Sequence, residues 1–175
     1  MNWKSFVLGF VIGLLLVPFA AFLYLEAGAA PVATSASPLP LEKFLANMAL
    51  HRAIGSADLQ KMPIEPNEAN LLAGAREYRE ECAVCHGLPG QPEPKVAKGE
   101  FPRPPQLFRG KGVTDDPAGE TYWKIKNGIR LSGMPAYGST MGEQEMWQIA
   151  ALLANADKIT PAVRQELAKS ETTTQ

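Results

Sequence analysis

The sequence predicts an all-α protein in which one membrane-length helix precedes a small helical domain. Three observations carry this prediction. Residues 5–25, SFVLGFVIGLLLVPFAAFLYL, contain no charged side chain. Apolar and small residues recur at threes and fours over 68–81 and again over 143–155, the period of an α-helix. Between those stretches, prolines at 89, 92, 94, 102, 104, 105 and 117 exclude long helices and central strands. The 175 residues suffice for one modest domain with appendages. A formal charge of −1 argues against a general role on nucleic acid or anionic surfaces.

The apolar run comes first. Its length matches the roughly 30 Å of bilayer hydrocarbon. Lys4 precedes it and Glu26 follows, which places the N-terminus in the cytoplasm, and Trp3 and Tyr24 stand where interfacial aromatics are found. A cleaved signal peptide competes, because Ala27-Gly28-Ala29 is an acceptable cleavage site. The run exceeds the about 7–15 apolar residues of an ordinary signal peptide, which favours an uncleaved anchor over residues 1–26. Residues 27–66 read as a linker containing one short helix. That helix covers 41–54, with Leu41, Phe44, Leu45 and Met48 on one face, His51 on or near it, and Gly55 as its stop.

A domain is expected over 67–157. Asn67 can cap a helix over Glu68–Glu81, whose first-turn acid suits the positive end of the helix dipole. Leu71, Gly74, Ala75, Tyr78 and Cys82 share a face, and a glycine inside a helix marks close approach of another backbone. The expected partner is the helix Glu143–Asn155, with Met146, Trp147, Ile149, Ala150 and Leu153 as its apolar stripe. A short helix over Glu120–Ile129 carries Tyr122, Trp123 and Ile125. Residues 158–175 are expected to form a short helix from Thr160-Pro161 to near Lys169 and a disordered tail from Ser170 to Gln175.

The chemistry rests on Cys82-Ala83-Val84-Cys85-His86. Two cysteines three apart on a helical turn point to one side and can form thioethers to neighbouring vinyl groups of one porphyrin, while the next residue offers its imidazole to iron. With no further cysteine in the chain, the reading is one haem c, covalent through Cys82 and Cys85, with iron on His86. Zinc would need a fourth ligand from distant His51, and a redox disulfide of the thioredoxin kind expects a βαβ setting absent here. A long proline-rich loop after the motif is economical if it wraps a ligand. The sixth ligand must come from further on. Met134, between Gly133 and Pro135, sits in a loop that can approach a porphyrin closely; Met141 and Met146 are the other candidates. A thioether favours ferrous iron and raises the reduction potential.

Taken together, Gly74-x-x-x-Tyr78-x-x-x-Cys82, the Cys-x-x-Cys-His run followed by Gly87, Pro105-Gln106-Leu107, Gly133-Met134-Pro135 and an apolar C-terminal helix resemble a class I cytochrome c over residues 68–156. The resemblance implies terminal helices that cross around one haem, with Gly74 and Tyr78 against Ile149 and Leu152. Leu152 departs from the family, which often has an aromatic there. It further implies that the Pro105 carbonyl accepts the Nδ1 proton of His86 and that Leu107 lines the proximal pocket, with Tyr122, Trp123 and Arg130 as pocket or propionate partners. The wording from Tyr122 to Tyr137 is similar to bacterial membrane-anchored monohaem cytochromes of respiratory or dehydrogenase complexes.

The expected function is single-electron transfer, without enzyme activity, between a redox donor and acceptor on the periplasmic side of a bacterial inner membrane. The chain would act as a free carrier or as a stable subunit of a larger complex. The alternative is a haem-based gas sensor or haem enzyme with an exchangeable sixth ligand. Lys95, Lys98, Arg103, Arg109, Lys111, Lys124, Lys126 and Arg130 are expected near the haem and suggest a basic docking rim, against which interleaved acids count.

Overall fold

The computed structural model describes residues 2–109 and 116–169. Every regular element among them is helical. Two compact units divide the chain, Met1–Pro40 and Leu41–Gln175.

The first unit holds α1, Trp3–Glu26, whose side chains are all exposed. Among the described residues it is the one helix long and apolar enough to cross a membrane, and it lies near the N-terminus.

The second unit opens with α2, Glu42–Ile54, which tightens at Gly55 into a 3₁₀ turn over Gly55–Leu59. Of the linker with one short helix expected over 27–66, residues 41–66 group with the domain. The backbone of Ala57 and Gln60 lies so close to Gly119 that a Cβ there would strike the Ala57 carbonyl, and Met62 and Ile64 pack against the core. Weak periodicity hid this, because the packing is made by a turn and two isolated apolar residues rather than by a helix face.

α3, Glu68–Glu77, starts at the Asn67 cap, whose side-chain oxygen accepts from the Asn70 N–H at 3.0 Å. It does not run unbroken to residue 81. The chain widens into a π turn over Tyr78–Cys82 and resumes as α4, Ala83–His86. Such turns re-aim side chains at functional sites. α5, Lys95–Gly99, is a single turn inside the proline-rich segment. α6, Ala118–Asn127, α7, Glu143–Ala154, and α8, Pro161–Ala168, complete the order.

α3 and α7 make the main helix pair, with α6 and α8 packed beside it. At the crossing, Gly74 rests directly on the α7 backbone, where a Cβ would overlap the Gln148 carbonyl and stand 3.1 Å from the Ile149 nitrogen. The core cluster includes Leu71, Tyr78, Ile125, Ile149 and Leu152. Tyr122 and Trp147 stack within it, centroids 4.2 Å apart and planes at 6°. Tyr122 thereby belongs to the core. α8 is pinned to α3 and to the π turn that follows it by Glu166, which pairs with Arg76 at 3.6 Å, accepts from Arg79 Nη1 at 3.0 Å and is also paired with Lys169. The expected tail at 170–175 lies outside the described residues.

Candidate functional site

The α4 turn exposes its motif through its stop. Gly87 ends the helix at φ +72°, a left-handed conformation suited to glycine, and a Cβ there would strike the Gln106 side chain. The carbonyl of Gly87 accepts from the buried Tyr78 hydroxyl at 2.9 Å, and the Tyr78 ring meets Phe108 edge-on at 5.1 Å. The chain after the motif folds back on it. Gln106 donates from Nε2 to the Cys85 carbonyl at 3.0 Å, and His86 Nδ1 lies 2.8 Å from the Pro105 carbonyl. Since a carbonyl can only accept, this contact assigns the proton to Nδ1 and leaves the Nε2 lone pair available to a metal. Burial also lowers the His86 pKa, against the raising effects of the Pro105 bond and the Glu100 charge, so the imidazole is held toward its neutral, ligating form.

Cys82 and Cys85 are both free thiols. Burial pushes the Cys82 thiol up to about 12, and burial followed by a hydrogen bond to Glu100 raises Cys85. Glu100, one of the acids interleaved with the basic residues, meets the motif directly. Its carboxylate accepts from Cys85 Sγ at 3.3 Å and lies against Gly133, where a Cβ would stand 2.7 Å from Oε2.

The Met134 loop is fastened on three sides. The Ser132 hydroxyl donates to the Ile129 carbonyl at 2.7 Å and accepts from the Met134 N–H at 3.2 Å, while Ile129 N–H donates to the Met134 carbonyl at 3.3 Å. Gly128, at φ +64°, faces the backbone of Met134, Pro135 and Ala136, leaving no room for a Cβ. Tyr137 then returns to α6 through its N–H to the Ile125 carbonyl at 3.0 Å, and its hydroxyl donates to the Glu81 carbonyl at 3.0 Å. A hollow of about 330 Å³ opens beside this loop, lined in part by Gly128, Leu131 and Met134.

Cys82, Leu107 and Met134 are half-buried and pack on the edge of one core cluster, with Met141. Met146 is fully inside that core, 2% exposed, and serves packing. His51 is exposed on α2. Among the described residues no three His, Cys, Asp or Glu side chains are grouped to hold a metal, so the zinc alternative finds no ligand set. The basic rim is partly neutralised: Arg103 pairs with Glu93, and Lys124 with Glu120 at 2.7 Å and Asp116 at 2.9 Å. Lys111 lies outside the described residues.

Residues 69–153 match the family model described as cytochrome c oxidase, cbb3-type, subunit III. This segment is a c-type cytochrome domain. The cytochrome domain implies a haem c and electron transfer through its iron. Among solved structures, the chain is similar to one from the reducing HAO-like protein complex of Kuenenia stuttgartiensis, at 24% identity and a TM-score of 0.47. That similarity covers 54% of this chain and 46% of the other, so it spans less than half of the similar protein. No curated protein matches the chain.

The residues around the motif of this cytochrome fit a covalently held haem. The two thiols form no disulfide, the imidazole has its Nε2 free, and Gly87 and Gly128 let the flanking chain fold back closely on the motif and on the Met134 loop. The sequence offered no sign of the Glu81–Tyr137, Ser132–Met134 or Cys85–Gln106 bonds, which join residues far apart in the chain or bend a loop back on itself.

Proposed function

We propose that the chain is a membrane-anchored monohaem cytochrome c that passes single electrons between redox partners on the periplasmic side, with one haem on Cys82 and Cys85 and iron on His86 and Met134. The observation that carries this reading is the bond from His86 Nδ1 to the Pro105 carbonyl at 2.8 Å. It orients the imidazole and makes it a stronger donor to iron. A bound haem supplies a reversible ferrous–ferric couple, and a thioether opposite the imidazole favours the ferrous state. Pro105 holds the proximal ring, Leu107 lines its side, and Ser132 and Tyr137 hold the Met134 backbone where its sulfur can serve as the distal ligand. Were His86 and Met134 both to bind the iron, no site for substrate would remain at the metal, which suits a carrier rather than an enzyme or sensor.

The length and apolar composition of α1 support an anchor over residues 1–26, with the cytochrome domain over 67–157 and a C-terminal segment over 158–175 whose helix α8 adds Val163 and Leu167 to the core. Anchoring favours repeated exchange with membrane-bound partners, as a free carrier or as a fixed subunit of a respiratory or dehydrogenase complex.

The test is to purify the full chain from membranes and examine the haem. The expected result is one haem per polypeptide that survives acid-acetone extraction, a low-spin spectrum with a weak sulfur-to-iron band in the ferric state, and no rapid binding of carbon monoxide when reduced. Rapid carbon monoxide binding would instead favour a sensor or enzyme with an exchangeable sixth ligand.

A further inference from the structure

The α2 helix buries the wrong residues for an element whose apolar face belongs to the core. Ile54 is buried and Leu50 half-buried, on the side that meets the 3₁₀ turn and α6. Its main apolar stripe points elsewhere. Leu41, Phe44, Leu45 and Met48 fall within an arc of about 100° at helical spacing, and they are 69%, 63%, 50% and 48% exposed. Four large apolar side chains side by side on one helix form a contiguous patch, which soluble surfaces avoid unless something covers it.

Leu41 adds an independent sign. It occupies the N-cap of α2 in a left-handed backbone conformation, φ 65°, where glycine or asparagine is at ease and leucine is strained. Neither a capping bond nor core packing accounts for a leucine there, because its side chain makes no cap and is exposed. The strained position does extend the stripe by one residue at its head.

The chain itself names an occupant. α1 ends at Glu26 and α2 begins at Glu42, so 15 residues separate them, at most about 50 Å when fully extended. If α1 spans a bilayer, the stripe is confined near a lipid surface at high effective concentration, and a weak affinity is enough to keep it there. Aromatic, methionine and leucine side chains suit the boundary between headgroups and acyl chains, and Arg52, on the same side of the helix as the stripe, can extend its cation toward the headgroups. We propose that α2 is an interfacial helix that lies on the membrane with Leu41, Phe44, Leu45 and Met48 inserted, setting which face of the cytochrome domain is turned toward the bilayer. This rests on the reading of α1 as the anchor.

The experiment uses the haem-loaded full chain in vesicles of phosphatidylethanolamine and phosphatidylglycerol. A nitroxide is attached at Leu45→Cys, within the stripe, or at Ala46→Cys, which points to the opposite side. Flotation first shows whether the protein stays with the vesicles. The expected result is flotation, with the Leu45 label several-fold more accessible to dissolved oxygen, relative to a water-soluble nickel chelate, than the Ala46 label. Flotation with equal accessibility at both sites overturns the interfacial helix and leaves the anchor standing. A Leu45 label immobilised and shielded from both reagents also overturns it, in favour of a protein partner or a second copy on the stripe. Failure to float overturns the anchor and with it this proposal.

Discussion

The Tyr137 hydroxyl donates to the Glu81 carbonyl across 3.0 Å, joining the loop that carries Met134 to the turn that carries Cys82. These residues lie 56 apart in the chain, and each belongs to a segment proposed to hold one side of the haem. Burial pushes the Tyr137 phenol up to about 12, so it remains a donor across the physiological range. The bond thus fixes the separation between the turn that carries Cys82 and the loop that carries Met134.

Removing that hydroxyl tests the relationship. Tyr137→Phe keeps the ring and is expected to cost only about 1 kcal/mol of stability, the usual net value of one hydrogen bond. Its larger effect should fall on the distal ligand. The ferric sulfur-to-iron band should weaken and be lost under milder heating or alkali than in the parent protein, with a lower reduction potential. Spectrophotometric titration and redox potentiometry check both.

Met134→Ala should open the sixth position. The covalent haem and most helical structure should survive, because Met134 lies at the edge of the core and not within it. The reduction potential should fall, since the ferrous-favouring thioether is gone, and the reduced protein should bind carbon monoxide. An unchanged low-spin spectrum would assign the ligand elsewhere, with Met141 or His51 next.

Gly74→Ala sets two effects of opposite sign against each other. Alanine gains about 1 kcal/mol of helix propensity. Its Cβ, however, would lie 2.6 Å from the carbonyl carbon of Gln148, in backbone that cannot rotate away. Overpacking at such a crossing costs up to about 3 kcal/mol, so the net result should be a loss near 2 kcal/mol, measured by urea unfolding of the holoprotein.

Acid should release α8. The Lys169 hydrogen bond holds the Glu166 carboxyl below its ordinary value, with Arg79 adding to it and burial opposing. A carboxyl whose folded pKa is depressed contributes stability above its unfolded pKa of about 4.3, and that contribution is lost as pH falls through the folded value. The urea midpoint should therefore drop below about pH 4. Glu166→Gln should flatten this acid limb and cost about 1.5 kcal/mol at neutral pH, because the largely buried Arg79 loses one charged partner while keeping Glu80 and the Glu166 backbone carbonyl.

Several features were legible from residue order because their physics is local. The span of α1 follows from an unbroken apolar run, the start of α3 from the Asn67 cap, and the start of α8 from Thr160, whose hydroxyl accepts from the Val163 N–H at 3.3 Å. The Cys-x-x-Cys-His run points to its cofactor because thioether geometry needs only one turn of helix. Gly74 announced a helix contact because a glycine in a helix interior is costly without one.

The tertiary structure decided what depends on residues distant in sequence. It brought Pro105 to His86, folded residues 55–64 onto α6 and the core, took Tyr122 into a stack with Trp147, and tied Tyr137 to Glu81. It also turned the α2 stripe outward, which periodicity alone does not determine: a helical repeat says which residues share a face, and only the position of the neighbouring elements says whether that face meets protein. Local propensity and covalent chemistry are written along the chain, whereas long-range contacts depend on which surfaces are left over once the helices have packed.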